Sequence, residues 1–230
     1  MKLDWQNWFY KKHFAQHWER AKKAAKSTPM DHYYDALLPE DMLLDDTPLV
    51  ALDFESDGLK KDAQLLEAGW VRIIDRAVKL KTAQQLRIQA GSRLQEAAVI
   101  IHRITDDAAA KGQQEADVLA LLLETLKGSA IVAHGAAVEH AFLNTACLRN
   151  FGVPFVGRFI CTMHLEKRWF PKQRTADGLR LGKLRAQYGL PSYRAHDGLT
   201  DAIACGELFL AQCARRKVEN LLLKDVLMKG

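Results

Sequence analysis

The sequence has no apolar run near the roughly 18 residues that span a membrane; the longest are short, such as Val118 to Leu123. Its four cysteines (Cys147, Cys161, Cys205 and Cys213) include no C-x-x-C pair, and no Cys/His pair has finger-like spacing, which argues against a zinc site. Single cysteines inside apolar segments read as small buried hydrophobes. No secretory signal is recognisable at the N-terminus, because Trp5 to Trp18 is interrupted by Lys11, Lys12 and His13 and lacks a small-residue cleavage pattern. A reducing compartment, the cytoplasm, is the expectation. Low-complexity tracts and internal repeats are also missing. With hydrophobic residues at 48% and charged residues at 27%, disordered, collagen-like and disulfide-scaffold classes drop out.

What remains is a chain of 230 residues, enough for one large domain with a short appendage. A net charge of +5 fits a polyanionic partner without specifying one. Residues 1–48 differ from the rest. Trp5, Trp8 and Trp18 lie among Lys11, Lys12, Arg20, Lys22, Lys23 and Lys26, after which Asp31 to Asp46 is acidic. This pattern predicts a helix over about 4–26, stopped near Ser27-Thr28-Pro29, then an irregular connector. The helix could be a nucleic-acid arm, but aromatics at helical spacing favour packing on the main domain.

Residues 49–230 alternate between strand and helix patterns. Strands are expected at Leu49 to Asp53, Leu65 to Asp75, Ala77 to Thr82 and Ala130 to Ala133. Helices are expected at Glu115 to Leu126, from there after Ala133 through Asn150, at Gly178 to Tyr188, and up to Arg216 after a loop at His196. An antiparallel set followed by alternating elements implies an α/β fold, a mixed sheet flanked by helices, with residues 1–48 as an N-terminal helical extension.

Three clusters can carry chemistry. Asp53 and Glu55 lie two apart at a strand end, so both carboxylates leave one face. Two such acids repel unless a cation lies between them, most often a hard divalent metal. In His196-Asp197-Gly198-Leu199-Thr200-Asp201, an Asp197 cap would leave His196 in a loop and turn Asp201 inward. In Ala133-His134-Gly135-Ala136-Ala137-Val138-Glu139, a buried strand ends at His134 and a helix presents Glu139. Taken singly, each cluster also fits a bland reading: exposed acids, a capping Asp beside a surface His, or an acid favourable near a helix N-terminus.

In order and spacing, these clusters resemble the DEDDh family of 3′–5′ exonucleases, the group of the polymerase III proofreading subunit and ribonuclease T. The family shows D-x-E on its first strand, A-H-N-x-x-F-D-x-x-F-L in the middle and H-x(4)-D in the last helix. The matches are Asp53 and Glu55, then Ala133-His134 through Phe142-Leu143, then His196 and Asp201. Ile101-His102-Arg103-Ile104-Thr105 is similar to a V-H-x-I-T segment, and Leu181 to Leu190 to the run-up of the last motif. The resemblance covers about residues 49–213. Two positions depart from it: Glu139 stands for the middle aspartate, and Gly135 for the asparagine after His134.

The resemblance implies a ribonuclease H-like fold and two divalent ions, Mg²⁺ or Mn²⁺, about 4 Å apart. Asp53 would bridge both, Glu55 and Asp201 would hold the ion that activates water, and Glu139 would help hold the other. His196 would be the general base, a task suited to imidazole. Phe54, His102 and His134 would contact the terminal nucleotide. The implied partner is nucleic acid with a free 3′ end, DNA in preference to RNA, releasing nucleoside 5′-monophosphates. A polymerase or repair partner is compatible with the family but has no residue signal here. An exoribonuclease and a catalytically impaired nucleic-acid-binding module remain the alternatives.

Overall fold

Strand β1 (Leu49–Ser56) is apolar from its first residue to Leu52 and buried on both faces, as a central strand must be. In the computed structural model, which describes residues 14–58, 63–91, 104–171, 177–217 and 220–228, it lies mid-sheet. β2 (Leu65–Ile74) pairs antiparallel with it on one side and β5 (Ala130–Ala133) parallel on the other, with β6 (Phe159–Cys161) beyond β5. The short strands β3 (Ala77–Val78) and β4 (Gln84–Arg87) both pair with β2. The mixed sheet with helices on both faces is the ribonuclease H-like architecture that the motif order implies.

Alternation along β1 decides what each face meets. Val50, Leu52 and Phe54 pack into one core with α3 (Glu115–Leu126) and α4 (Ala136–Phe151). Leu49 and Ala51 pack on the opposite face with Cys205 and Phe209 of α7 (Gly198–Arg216). The remaining helices are α1 (Phe14–Ala25), α2 (Asp106–Ala110), α5 (Thr162–Trp169), α6 (Leu181–Gln187) and α8 (Leu223–Val226).

Helix α7 lies close on its sheet where it turns glycine inward. A Cβ built on Gly206 would stand 3.2 Å from the Val78 side chain and 3.3 Å from that of Ala51. At the helix start the approach is closer still. A Cβ on Gly69 of β2 would lie 2.2 Å from both Gly198 C and Leu199 N, so backbone rests on backbone there.

Residues 14–48 join the same core. Trp18, Ala21 and Ala25 bury the inner face of α1 against Tyr33 and Tyr34. The Trp18 ring meets that of Tyr34 edge-on at 4.9 Å, and Tyr33 leans on Phe155 at 5.1 Å. Tyr33 donates its hydroxyl to Val156 O, and Arg158 donates Nε to Leu38 O at 2.9 Å. Of the two readings of this segment, packing describes residues 14–48; the helix expected before residue 14 lies outside the described residues.

Local expectations change: the helix expected at Gly178 to Tyr188 is broken, Asp177–Leu179 being a 3₁₀ turn and Arg180 extended ahead of α6. Only Ala77–Val78 of the strand expected at Ala77 to Thr82 is extended; Leu80–Thr82 is a 3₁₀ turn. Thr82 Oγ1 accepts the Arg72 N–H at 3.0 Å and donates to Lys79 O, so the turn satisfies a β2 amide that a longer strand would have paired. The edge strand β4, with two glutamines and a polar exposed side, has no alternation strong enough to be read from sequence.

The Gly69 contact makes a stability prediction. Gly69→Ala must displace the start of α7 and should cost about 1–3 kcal/mol. Gly182→Ala, on α6 with nothing within 4 Å of the new methyl, should be neutral or stabilising. Denaturant unfolding of both variants checks this; equal midpoints would rule out the proposed strain at Gly69.

Candidate active site

The carboxyl end of β1 carries Asp53 half-buried and Glu55 buried, opposite Gly69 and Glu67 of β2. Phe54 between them points the other way; its ring is 5% exposed and packs in the core, leaving its N–H as its contribution here. That N–H donates to Glu139 Oε2 at 3.1 Å. Glu139 comes from the first turn of α4, which starts at once after β5 because Gly135 adopts a left-handed φ of 83°. Asparagine is among the few other residues that tolerate this conformation, so the departure at Gly135 preserves the turn.

The last two motif residues come from the start of α7. Asp197 caps the helix, its Oδ1 accepting Thr200 N–H at 2.9 Å, as the sequence predicts. His196, exposed just before the cap, has a φ of 65°, and its N–H donates to Asp201 Oδ2 at 2.8 Å. Donor atoms of Glu55, His196 and Asp201 lie within 4.8 Å of one another. Asp53 and Glu139 join this trio through their charges.

The electrostatics follow from crowding acids in a dry place. Burial raises the Asp53 carboxyl well above its usual range, and the charges of Glu139, Glu55, Asp201 and Glu67 raise it further. Burial likewise pushes Glu139 up to about 8; the Phe54 N–H opposes this, while Glu55 and Asp201 reinforce it. Asp201 is raised by burial against the His196 N–H that favours its charge. Carboxyls raised by burial and by one another, with oxygen donors converging, suit a hard divalent cation that favours their charged form. Asp53, Glu55, Glu139 and Asp201 fit that role.

His134 sits differently. Its Nδ1 lies 2.8 Å from Thr162 Oγ1, and it also hydrogen-bonds the Leu179 backbone. Burial drives its pKa down to about 4, so it is a neutral, anchored ring. His102 lies outside the described residues. Glu67 and Gln85 lie in none of the sequence motifs. Gln85 Nε2 donates to Asp197 Oδ2 at 2.9 Å and to Glu67 Oε1, and Glu67 Oε1 also accepts the Gly198 N–H at 3.0 Å. The one available signal was Glu67 two residues before Gly69, on the same face of β2.

The three raised carboxyls affect stability with one sign. Each is protonated to higher pH in the fold than in the unfolded chain. Its contribution is therefore complete below the unfolded value, about 4, and is lost as pH rises toward the folded value, about 8 for Glu139. Metal-free protein should lose thermal stability between about pH 5 and 8, and Glu139→Gln should flatten that loss. Melting temperatures across this range decide it; a flat wild-type profile contradicts the assignment.

Residues 50–209 match the family described as Exonuclease. The chain is 28% identical over 171 residues to DNA polymerase III subunit epsilon of Treponema pallidum, covering 74% of this chain and 78% of that protein. It is 27% identical over 174 residues to the PolC-type DNA polymerase III of Thermotoga maritima, of which it spans 12%. Among solved structures, exonuclease X in complex with 5′ overhanging duplex DNA superposes with a TM-score of 0.60 at 22% identity, covering 77% of this chain and 98% of that one. The nuclease domain of 3′hExo, a DEDDh family member bound to rAMP, gives 0.64 at 16%, covering 76% and 95%. With four acids and a histidine of the DEDDh pattern gathered at one sheet end, the chain belongs to the exonuclease family, as a relative of the DEDDh 3′–5′ exonucleases.

Proposed function

We propose that this chain is a metal-dependent 3′–5′ exonuclease that hydrolyses the terminal phosphodiester bond of nucleic acid and releases nucleoside 5′-monophosphates. The observation that carries the reading is the convergence of Asp53, Glu55, Glu139, Asp201 and His196 from three separate segments onto one end of β1, with donor atoms of Glu55, His196 and Asp201 within 4.8 Å. Asp53, Glu55, Glu139 and Asp201 would hold two divalent ions, Mg²⁺ or Mn²⁺. These would supply positive charge to the attacking and leaving oxygens of an in-line displacement.

The chain's own groups do the rest. His196 is exposed, so its ring can reach a water at the site and accept a proton there at a ring nitrogen. The hydrogen bond from His196 N–H to Asp201 ties the backbone of that base to the carboxylate beside it. Glu139, longer than the aspartate it replaces, is steadied by the Phe54 N–H, so the extra methylene need not loosen the carboxylate. His134, His102 and Phe54 would line the terminal nucleotide. For Phe54, whose ring is in the core, that contact would come through the backbone. DNA is the proposed substrate because the relatives are polymerase III subunits and exonuclease X carries duplex DNA. The rAMP in 3′hExo makes RNA the second reading.

The test is digestion of matched single-stranded DNA and RNA oligonucleotides, labelled at either end, with and without Mg²⁺. Metal-dependent shortening from the 3′ end, faster on DNA, is expected. Asp53→Ala and Asp201→Ala should abolish it while leaving the fold intact or more stable. His196→Ala should lower kcat about 10²-fold or more with little change in KM. Glu139→Gln should cost activity severely and Glu139→Asp retain much of it. Wild-type turnover by Asp53→Ala, or shortening only from the 5′ end, would sink the proposal.

A further inference from the structure

We infer that Glu67 is a positioning residue: its buried carboxylate sets the first turn of α7 against the sheet, and so places both Asp201 and the His196 loop. Glu67 lies on β2 directly opposite Glu55 of β1 and is 3% exposed. A buried acid so near Asp53 and Glu55 adds to their repulsion, and its presence needs a physical reason.

Its hydrogen bonds supply that reason. The first N–H groups of a helix have no partner within the helix. In α7 the cap residue Asp197 takes the Thr200 N–H, and the Gly198 N–H goes to Glu67 Oε1 at 3.0 Å, an acceptor on another element. Gln85 on β4 donates one amide nitrogen to Glu67 Oε1 at 3.0 Å and to Asp197 Oδ2 at 2.9 Å, bridging the two carboxylates that cap the helix. Arg87, on the same strand, lies 3.8 Å from Glu67 Oε2. A charged acceptor makes a stronger bond to an N–H than a neutral one does, and the helix N-terminus favours negative charge.

The alternative, that Glu67 is a fifth metal ligand, is disfavoured by how its oxygens are used. Oε1 already accepts two hydrogen bonds and Oε2 faces Arg87, whereas the converging trio is Glu55, His196 and Asp201. Two glycines complete the arrangement. Gly69 lets the helix backbone come close, and Gly198 leaves Oε1 room, since a Cβ there would stand 3.2 Å from it. Glu67 then selects one rotation and height for the helix among those the glycines permit. One ångström of misplacement at a reacting group can cost about 10²-fold in rate.

The turnover arm of the test rests on the exonuclease reading; the exchange arm does not. In metal-free protein, amide hydrogen exchange at Gly198 through Asp201 should quicken roughly tenfold or more in Glu67→Ala, relative to the sheet amides. Glu67→Gln, whose side-chain oxygen still accepts the Gly198 N–H, should stay near wild type. In the Mg²⁺ assay Glu67→Ala should lower kcat by about 10- to 100-fold with KM within about twofold, and Glu67→Gln should recover most of the loss. Gln85→Ala alters an exposed side chain and serves if Glu67→Ala does not fold; it should quicken exchange at Asp197 and Gly198. Wild-type exchange at the α7 start in Glu67→Ala, or in Gln85→Ala if that variant alone folds, overturns the inference. So does a Glu67→Gln variant as impaired in turnover as Glu67→Ala while its exchange stays at the wild-type rate, which would place the charge in the reaction and not in the setting of the helix. Wild-type protein without nuclease activity defeats the exonuclease reading and leaves the exchange result standing.

Discussion

The first turn of α7 rests on β2 with no side chain between them. Where Gly69 passes under Gly198 and Leu199, any Cβ would have to occupy space already filled by backbone. This contact places the rest of the site. It puts Asp201 and His196 beside a strand end that already carries Asp53 and Glu55, and brings the Gly198 amide onto Glu67. Further along α7, Gly206 packs against Val78 and Ala51, and Cys205 and Phe209 are buried against the sheet. A helix held one side chain further away would bury the same apolar area yet leave the acids apart.

Gathering those acids costs stability, and the cost identifies their role. A fold selected for stability alone would not place Asp53, Glu55, Glu139 and Asp201 where desolvation and mutual repulsion disfavour the charge of Asp53, Glu139 and Asp201. Positive charge brought to the site offsets both penalties, so the same arrangement that weakens the empty protein strengthens the loaded one. The neighbouring polar groups are handled differently: His134 and Thr162 satisfy each other, and His140 is a neutral core residue facing Phe155 O.

The described residues outside the exonuclease match, 14–49 and 210–228 apart from 218–219, are built into the protein. Trp18, Tyr33 and Tyr34 extend the core that α3 and α4 form with the sheet, and Arg158 ties residues 38–40 to the start of β6. At the other end of the chain, Met228 donates its N–H to Phe159 O, so the open edge of β6 is covered. These contacts lie at the amino end of β6, whereas the acids lie at the carboxyl end of β1, parallel to it through β5. The added segments therefore brace the sheet without entering the site.

The sequence by itself determined the elements and residues whose signal is local. A short apolar run marks β1, the D-x-E spacing puts two acids on one face, Asp197 three residues before Thr200 announces a cap, and the apolar period of 115–126 marks α3. Motif order then supplied Glu139 and the family. Tertiary structure decided everything that depends on how near two distant segments come. Glu67 and Gln85 read as ordinary strand residues until the α7 amide and Asp197 arrive above them. Thr82 takes the Arg72 N–H instead of extending β3, and burial lowers the His134 pKa. Local chemistry is written in residue spacing over a few positions, but desolvation and long-range hydrogen bonding exist only once the chain has closed on itself.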